Sequence, residues 1–151
     1  MSGPYVGRSL ALPFPPVVEH MSDLADAASF SVQTNTGHPL SFAPDSVADI
    51  DVFLGEIAAE VGGSNELAEL VFKLGAYVGE LLVRHADGVW ADPPAEMGGW
   101  PVVKLPSGYY ANPIDKAFKR VDNGPEDSIV SFWAAVVPTA SGNPRPWFRR
   151  R

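Results

Sequence analysis

The chain has 151 residues, of which 46% are hydrophobic and 19% are charged, and it contains no cysteine. A chain of this length can bury the core of one domain. The absence of cysteine excludes disulfides and thiolate metal sites. No stretch approaches the roughly 20 consecutive apolar residues that a membrane-spanning helix needs. Prolines interrupt the apolar run at residues 10–18, so we expect no signal peptide and predict a cytoplasmic protein.

Charge is distributed unevenly along the chain. Residues 1–72 contain ten acidic residues and one base, Arg8, which gives this half a net charge of −9, whereas the whole chain has −7. Four arginines are concentrated in residues 145–151. The acidic half repels nucleic acid and attracts basic partners at long range. The alternative is that the acids only keep the protein soluble.

The N-terminal segment predicts an arm, a helix and a short extended piece. Residues 1–16 are rich in proline and glycine and indicate an extended arm. Residues 17–30 place apolar side chains on one helical face and acids on the other, which favours a short helix. Residues 30–34 (Phe-Ser-Val-Gln-Thr) are β-prone, and Gly37 predicts a turn after them.

Two longer helices are predicted next. The first begins near Pro44, with an apolar stripe towards the core and acids, including Asp51, towards water. Gly62 and Gly63 end it, and Ser64 caps the second helix, which continues to about residue 85. Because the connection is short, we expect the two helices to pack antiparallel.

The second half of the chain predicts a small sheet followed by helices. Strands at 89–90, 100–105 and 109–111, separated by turns, form an antiparallel meander. Asn112 caps a helix that Gly124 ends. Residues 125–137 indicate a buried C-terminal helix, with a strand as the alternative.

These elements predict an α+β fold in which an antiparallel helix pair and C-terminal helices pack on a short antiparallel β-meander. We expect residues 1–16 to form the extended arm, residues 17–137 a single domain, and residues 138–151 a flexible basic tail.

Two glycines mark the second long helix. Gly75 and Gly79 lie on one face and leave a groove where a backbone or a large ring can approach. Tyr77, Glu80 and Arg84 share a neighbouring face. Glu80 is interpreted first as a structural carboxylate that pairs with Arg84 or with a cation of the helix at 116–120. The alternative is a general acid or base with a raised pKa.

The remaining candidates are binding residues rather than catalytic ones. The spacing of the three histidines matches no metal site, no nucleophile or phosphate-loop motif is present, and we expect no cofactor. The tail combines aromatics and arginines that could dock onto an acidic surface, anionic lipid or RNA, and the chain's own N-terminal half offers the nearest acidic surface. The candidate binding residues are Tyr77, Glu80, Trp90, Lys116, Lys119, Arg120, Trp147 and Arg149.

The order of these features resembles a family of small bacterial α+β domains of unknown function. The resemblance covers about residues 38–135. It implies helices packed against a short antiparallel sheet and brings no established activity. Members of such families look like accessory or immunity-type binding proteins. The residues that support it are 40–47 with Asp51, the segment 74–80 (Leu-Gly-Ala-Tyr-Val-Gly-Glu), Trp90, and the 113–128 run.

We therefore expect a non-enzymatic protein-binding domain, of the inhibitor or immunity type, whose acidic surface meets a basic partner. The alternative is a small-molecule binder or hydrolase with a pocket around Tyr77 and Glu80. The partner is another protein rather than nucleic acid, and the tail suggests a homodimer.

Overall fold

The computed structural model describes residues 12–59, 65–97 and 99–140, apart from the side chains of residues 65 and 66. These residues form an α+β fold, as the sequence predicts, with five α-helices and one three-stranded antiparallel sheet. The elements are α1 Met21–Thr36, α2 Ser46–Ala59, α3 Asn65–His85, β1 Val89–Ala91, β2 Val102–Lys104, β3 Tyr110–Ala111, α4 Pro113–Asn123 and α5 Ile129–Val136.

The first helix is longer than predicted, and the extended piece at residues 30–34 is wrong because α1 continues through it. Val32 lies one turn after Ala28 on the buried face, so packing against the core decides the conformation of this β-prone segment. The helix ends at Gly37, whose left-handed backbone (φ 82°) lets its N–H donate to the Gln33 carbonyl oxygen.

The second helix begins two residues later than predicted. Pro44 and Asp45 lie in a turn, in which the Ser46 N–H donates to the Ala43 carbonyl oxygen at 3.0 Å. The predicted end of this helix and the cap at Ser64 lie outside the described residues.

The third helix is the centre of the molecule. It packs most extensively against α1 and α4 and also contacts α2, β1 and β2. No described helix is long and apolar enough to cross a membrane. The fully buried aliphatic and phenylalanine side chains of α3 are Ala68, Val71, Phe72, Leu74, Ala76, Val78, Leu81 and Leu82.

The predicted antiparallel meander is confirmed, with β2 in the middle. Val89 pairs with Lys104, and Trp90 pairs with Val103. Trp90 and Val103 are buried while Val89 and Lys104 are exposed, so one face of the sheet packs on the helices.

The predicted bounds of α4 are confirmed, whereas the C-terminal α-helix begins at Ile129, four residues later than predicted. The Asn112 Oδ1 atom accepts from the Asp115 N–H at 3.2 Å and caps α4. Residues 129–136 form a helix rather than the alternative strand. This helix is less buried than predicted, because Ile129 and Val136 face the core while Val130 is 46% exposed.

Asp51 connects three helices through an ion pair and a backbone hydrogen bond. The prediction that it faces water is wrong. The Asp51 Oδ1 atom accepts from the Arg120 Nε at 3.1 Å and from the Ile129 N–H at 2.7 Å. Gly55 makes room for the guanidinium, since a Cβ there would lie 2.9 Å from the Arg120 Nη2 atom. The contact fixes α2, α4 and α5 to each other.

The ends of the described chain touch the domain. Leu12 packs against the core, and the Phe14 ring stacks on the His20 ring at 5.5 Å. At the other end, the Ala140 carbonyl oxygen accepts from the Ser107 N–H at 3.0 Å. The rest of the predicted arm (residues 1–11) and of the predicted tail (residues 141–151) lies outside the described residues.

Candidate functional site

Glu80 is buried in α3 and bound by donors from three elements. Its Oε1 atom accepts from the Ser22 Oγ of α1 at 2.8 Å and from the Trp90 Nε1 of β1 at 3.3 Å. Its Oε2 atom accepts from the Arg84 Nε at 3.4 Å, which confirms the predicted pairing within the helix. Both carboxylate oxygens are therefore used in contacts that fasten α1 and the sheet to α3.

The space beside the two glycines is filled, as the sequence predicts, by a backbone and by a large ring. A Cβ on Gly75 would lie 2.7 Å from the Ile114 Cα atom, so the backbone of α4 crosses the helix there. A Cβ on Gly79 would collide with the Trp90 ring. The Trp90 indole thus covers Gly79 while its N–H reaches Glu80.

Tyr77 has no exposed surface, and its hydroxyl belongs to a chain of hydrogen bonds. It accepts from the Phe42 N–H at 2.7 Å and lies 2.9 Å from the Ser46 Oγ. The Ser46 hydroxyl also lies 2.6 Å from the Ala43 carbonyl oxygen, which can only accept. The Ser46 proton therefore goes to Ala43, and the Tyr77 proton goes to Ser46.

Phe42 is held in a left-handed backbone conformation (φ 56°) that is uncommon for a residue with a large side chain. Tyr77 binds its N–H, and the His85 Nε2 atom lies 2.8 Å from its carbonyl oxygen. The Arg84 guanidinium lies 4.0 Å from the centre of its ring. Side chains of α3 therefore fix the connection between α1 and α2.

We expect Tyr77→Phe to destabilise the protein by about 1–3 kcal/mol at pH 7, because the Phe42 N–H loses its acceptor and the Ser46 oxygen loses the proton that it accepts. Burial raises the pKa of Tyr77 above its ordinary 10.0, and the hydrogen bonds to Ser46 and Phe42 partly oppose this rise. The neutral phenol therefore contributes stability that is present below pH 10.0 and is lost as the pH rises through the folded-state pKa.

Denaturant unfolding at pH 7 and in alkaline buffer measures both effects. The difference between wild type and Tyr77→Phe should shrink as the pH rises above 10.0. Equal stabilities at pH 7 would show that the hydroxyl contributes nothing to the fold.

The three cations of α4 do not join Glu80, contrary to the predicted pocket lining. The Lys116 Nζ lies 2.8 Å from Asp127, and the Lys119 Nζ lies 3.2 Å from Asp115. Arg120 binds Asp51 of α2, as described above. Hydrogen bonds from Lys116 and Asn123 hold the pKa of Asp127 below its ordinary value. Each cation is thus neutralised by a carboxylate other than Glu80.

The other predicted site residues divide into two groups. Glu80 and Trp90 are joined by a hydrogen bond, whereas the Tyr77 hydroxyl bonds to Phe42 and Ser46 instead. Trp147 and Arg149 lie outside the described residues. Among the described residues, no group of three or more histidine, aspartate or glutamate side chains is placed to hold a metal ion.

Sequence reasoning missed several partners of these residues. Ser22 reaches Glu80 from 58 positions earlier, and Ser46 reaches Tyr77 from 31 positions earlier. Neither contact follows from helical spacing, because both depend on how α1 and α2 pack on α3. Phe42 was also missed, although a large aromatic beside the turn-forming Ala-Pro-Asp segment indicates a fixed connection.

A groove lies between α1 and α2. It has two lobes, with volumes of about 290 and 280 Å³, that share Val32, Thr36 and Phe53. The first lobe is also lined by His38, Pro39, Leu40, Asp49 and Val52, and the second by Asn35, Glu56, Ile57, Leu70 and Leu74.

The groove has an apolar wall and an acidic rim. Val52 is 58% exposed, and Phe53 lies beside it outside the buried stripe of α2. Asp49 and Glu56 are exposed on the same helix. Val52 and Phe53 lie outside the buried stripe of α2, and this pattern in the sequence could have indicated the groove.

Asp49 and Glu56 line this groove, and further exposed acids lie at the start of α1 and just before α2. Apart from Asp23, which lies 3.3 Å from the His20 ring, none of them forms an ion pair with another described residue. We call this set the acidic surface, and its members are Glu19, Asp23, Asp26, Asp45, Asp49 and Glu56.

A scan against protein-family models, a search of curated proteins and a search of solved structures each gave no match. The resemblance to a family of small bacterial domains therefore stays a prediction.

Proposed function

We propose that this protein is a non-enzymatic binding domain that uses the acidic surface against a basic partner protein. The observation that supports this most strongly is an imbalance among exposed charges. The cations of α4 are neutralised by nearby acids, whereas most acids of α1 and α2 have no cation among the described residues. The negative potential of this side is therefore left for a partner.

The physics of such a surface sets the character of the binding. Each exposed ion pair contributes only about 0.2–1 kcal/mol, so charge alone gives rapid and salt-sensitive association rather than high affinity. The apolar wall of the groove, with Val52 and Phe53, supplies surface that a partner can bury. A basic partner protein with an apolar anchor fits both features. The present protein would then act on that partner as an inhibitor or immunity-type protein. We expect this binding to occur in the cytoplasm.

A small-molecule binder or hydrolase built on Tyr77 and Glu80 has weaker support. Tyr77 is fully buried, and the Glu80 carboxylate is bound by Ser22, Arg84 and Trp90. The Trp90 ring and the backbone of α4 occupy the space beside the glycines. A substrate would have to displace packed core residues to reach this carboxylate.

Affinity capture from a lysate of the native host, at low and at high salt, tests the proposal. The bait is wild type or an acidic-surface variant, Asp26→Asn, Asp49→Asn and Glu56→Gln, which removes three exposed carboxylates. We expect a basic protein to be retained by wild type at low salt and lost at high salt. The acidic-surface variant should retain much less of it.

The matched control removes the same charge elsewhere. Asp92→Asn, Glu96→Gln and Glu126→Gln change three exposed acids outside the acidic surface. This control variant should capture as much partner as wild type. Capture of no protein at either salt concentration, or equal capture by the acidic-surface variant, would contradict the proposal.

A further inference from the structure

The segment that follows the described residues carries aromatic and basic side chains, which are complementary to the apolar and acidic lining of the groove. Residues 145–151 read Arg-Pro-Trp-Phe-Arg-Arg-Arg, with two aromatic side chains and four arginines. The groove offers apolar walls in two lobes and carboxylates at its rim, Asp49 and Glu56. The two lobes have volumes of about 290 and 280 Å³.

We propose that residues 145–151 of one copy dock in the α1–α2 groove of a second copy. Trp147 and Phe148 enter the two lobes, and the arginines that follow lie against Asp49 and Glu56. The aromatic rings bury the apolar wall around Phe53, and the arginines are complementary in charge to the rim. The exchange is reciprocal, so the assembly is a twofold dimer, and the basic partner proposed above must displace the tail to reach the groove.

The described end of the chain favours a second copy over the same molecule. Ala140 is bound to Ser107, in the turn after β2. Trp100, just before β2, contacts Phe72, whereas Lys104 pairs with Val89 beyond the end of α3. The strand therefore runs along α3 towards its C-terminal end and carries Ser107 past it.

The floor of the groove lies towards the other end of that helix. Leu74 precedes the end of α3 by eleven residues, which is about 16 Å at 1.5 Å per residue, and the turn at Ser107 lies further on. Trp147 lies seven residues after Ala140 and can reach at most about 25 Å when fully extended. Docking within one molecule would use more than about 16 Å of this reach along the helix alone, whereas exchange between copies does not need a nearly extended segment.

Paramagnetic broadening in a mixed sample of the full-length chain tests the proposal with purified protein alone, so it does not depend on a foreign partner. Because the chain has no cysteine, one cysteine added after Arg151 carries a single spin label. Spin-labelled protein at natural isotope abundance is mixed with ¹⁵N-enriched protein that carries no spin label. Only contacts between copies can then broaden the observed amides. We expect selective broadening at groove residues such as His38, Val52 and Phe53.

The control replaces the two anchors, as Trp147→Ser with Phe148→Ser, and keeps all four arginines. It should abolish the selective broadening and weaken the dimer by about tenfold or more in sedimentation equilibrium. A protein that stays monomeric at millimolar concentration would overturn the proposal. So would broadening that avoids the groove, or broadening that persists in the control. If the groove amides broaden only when the ¹⁵N-enriched molecule carries the spin label itself, the tail docks within one molecule, and the assignment to a second copy is overturned.

Discussion

Gly75→Ala is expected to destabilise the protein by about 2 kcal/mol, although alanine is the better helix former. Alanine gains about 1 kcal/mol of helix propensity. Its Cβ, however, would lie 2.7 Å from the Ile114 Cα atom, and overpacking a core typically costs about 1–3 kcal/mol. The clash is with the backbone of α4, which cannot rotate away, so we expect the upper end of this range. Thermal unfolding should show a loss of about 4–8 °C.

A third helical glycine separates the packing effect from the propensity effect. A Cβ on Gly55 would meet the terminal atoms of the Arg120 side chain, which can shift more easily than a backbone. Gly55→Ala should therefore change the free energy of unfolding by less than about 1 kcal/mol. If Gly75→Ala were as stable as Gly55→Ala, the close approach of α4 to α3 would be wrong.

Glu80→Ala is expected to cost about 3 kcal/mol of stability. It leaves the buried Trp90 N–H and the Ser22 hydroxyl without their acceptor, and an unsatisfied buried donor costs about 1–3 kcal/mol. It also leaves a void at the point where α1, α3 and β1 meet. Denaturant unfolding followed by circular dichroism measures the loss.

Glu80→Gln is the matched control for the carboxylate charge. Its amide oxygen can still accept from Ser22 and Trp90, so the loss is limited to the pair with Arg84. That side chain is 45% exposed, and an exposed pair contributes at most about 1 kcal/mol. Alanine and glutamine variants of equal stability would show that the hydrogen bonds of Glu80 do not support the fold.

Local patterns were sufficient for the fold class and for the surroundings of α3. The two glycines four residues apart predict a close approach, and α4 and Trp90 make it. The spacing of Glu80 and Arg84 predicts their pairing, which the structure confirms. These features follow from helical geometry alone, so no knowledge of the neighbouring elements is needed.

Contacts between distant elements were not predictable in the same way. The segment at residues 30–34 is β-prone, yet it is helical because Val32 packs in the core. Asp51 looks like a solvent-exposed acid within its own helix, and only the arrival of Arg120 gives it a partner. The groove exists because of the distance between α1 and α2 where both pack on α3. The spacing of residues within either helix does not predict that distance.

The central claim is that the acidic surface binds a basic protein and that Glu80 only supports the fold. The most direct test measures the dissociation constant for the captured partner over a range of salt concentrations, for wild type, the acidic-surface variant and Glu80→Gln. We predict about tenfold or greater weakening in the acidic-surface variant, a smaller salt dependence in that variant, and unchanged affinity in Glu80→Gln. An affinity that ignores salt and the three surface acids, but falls in Glu80→Gln, would contradict the claim.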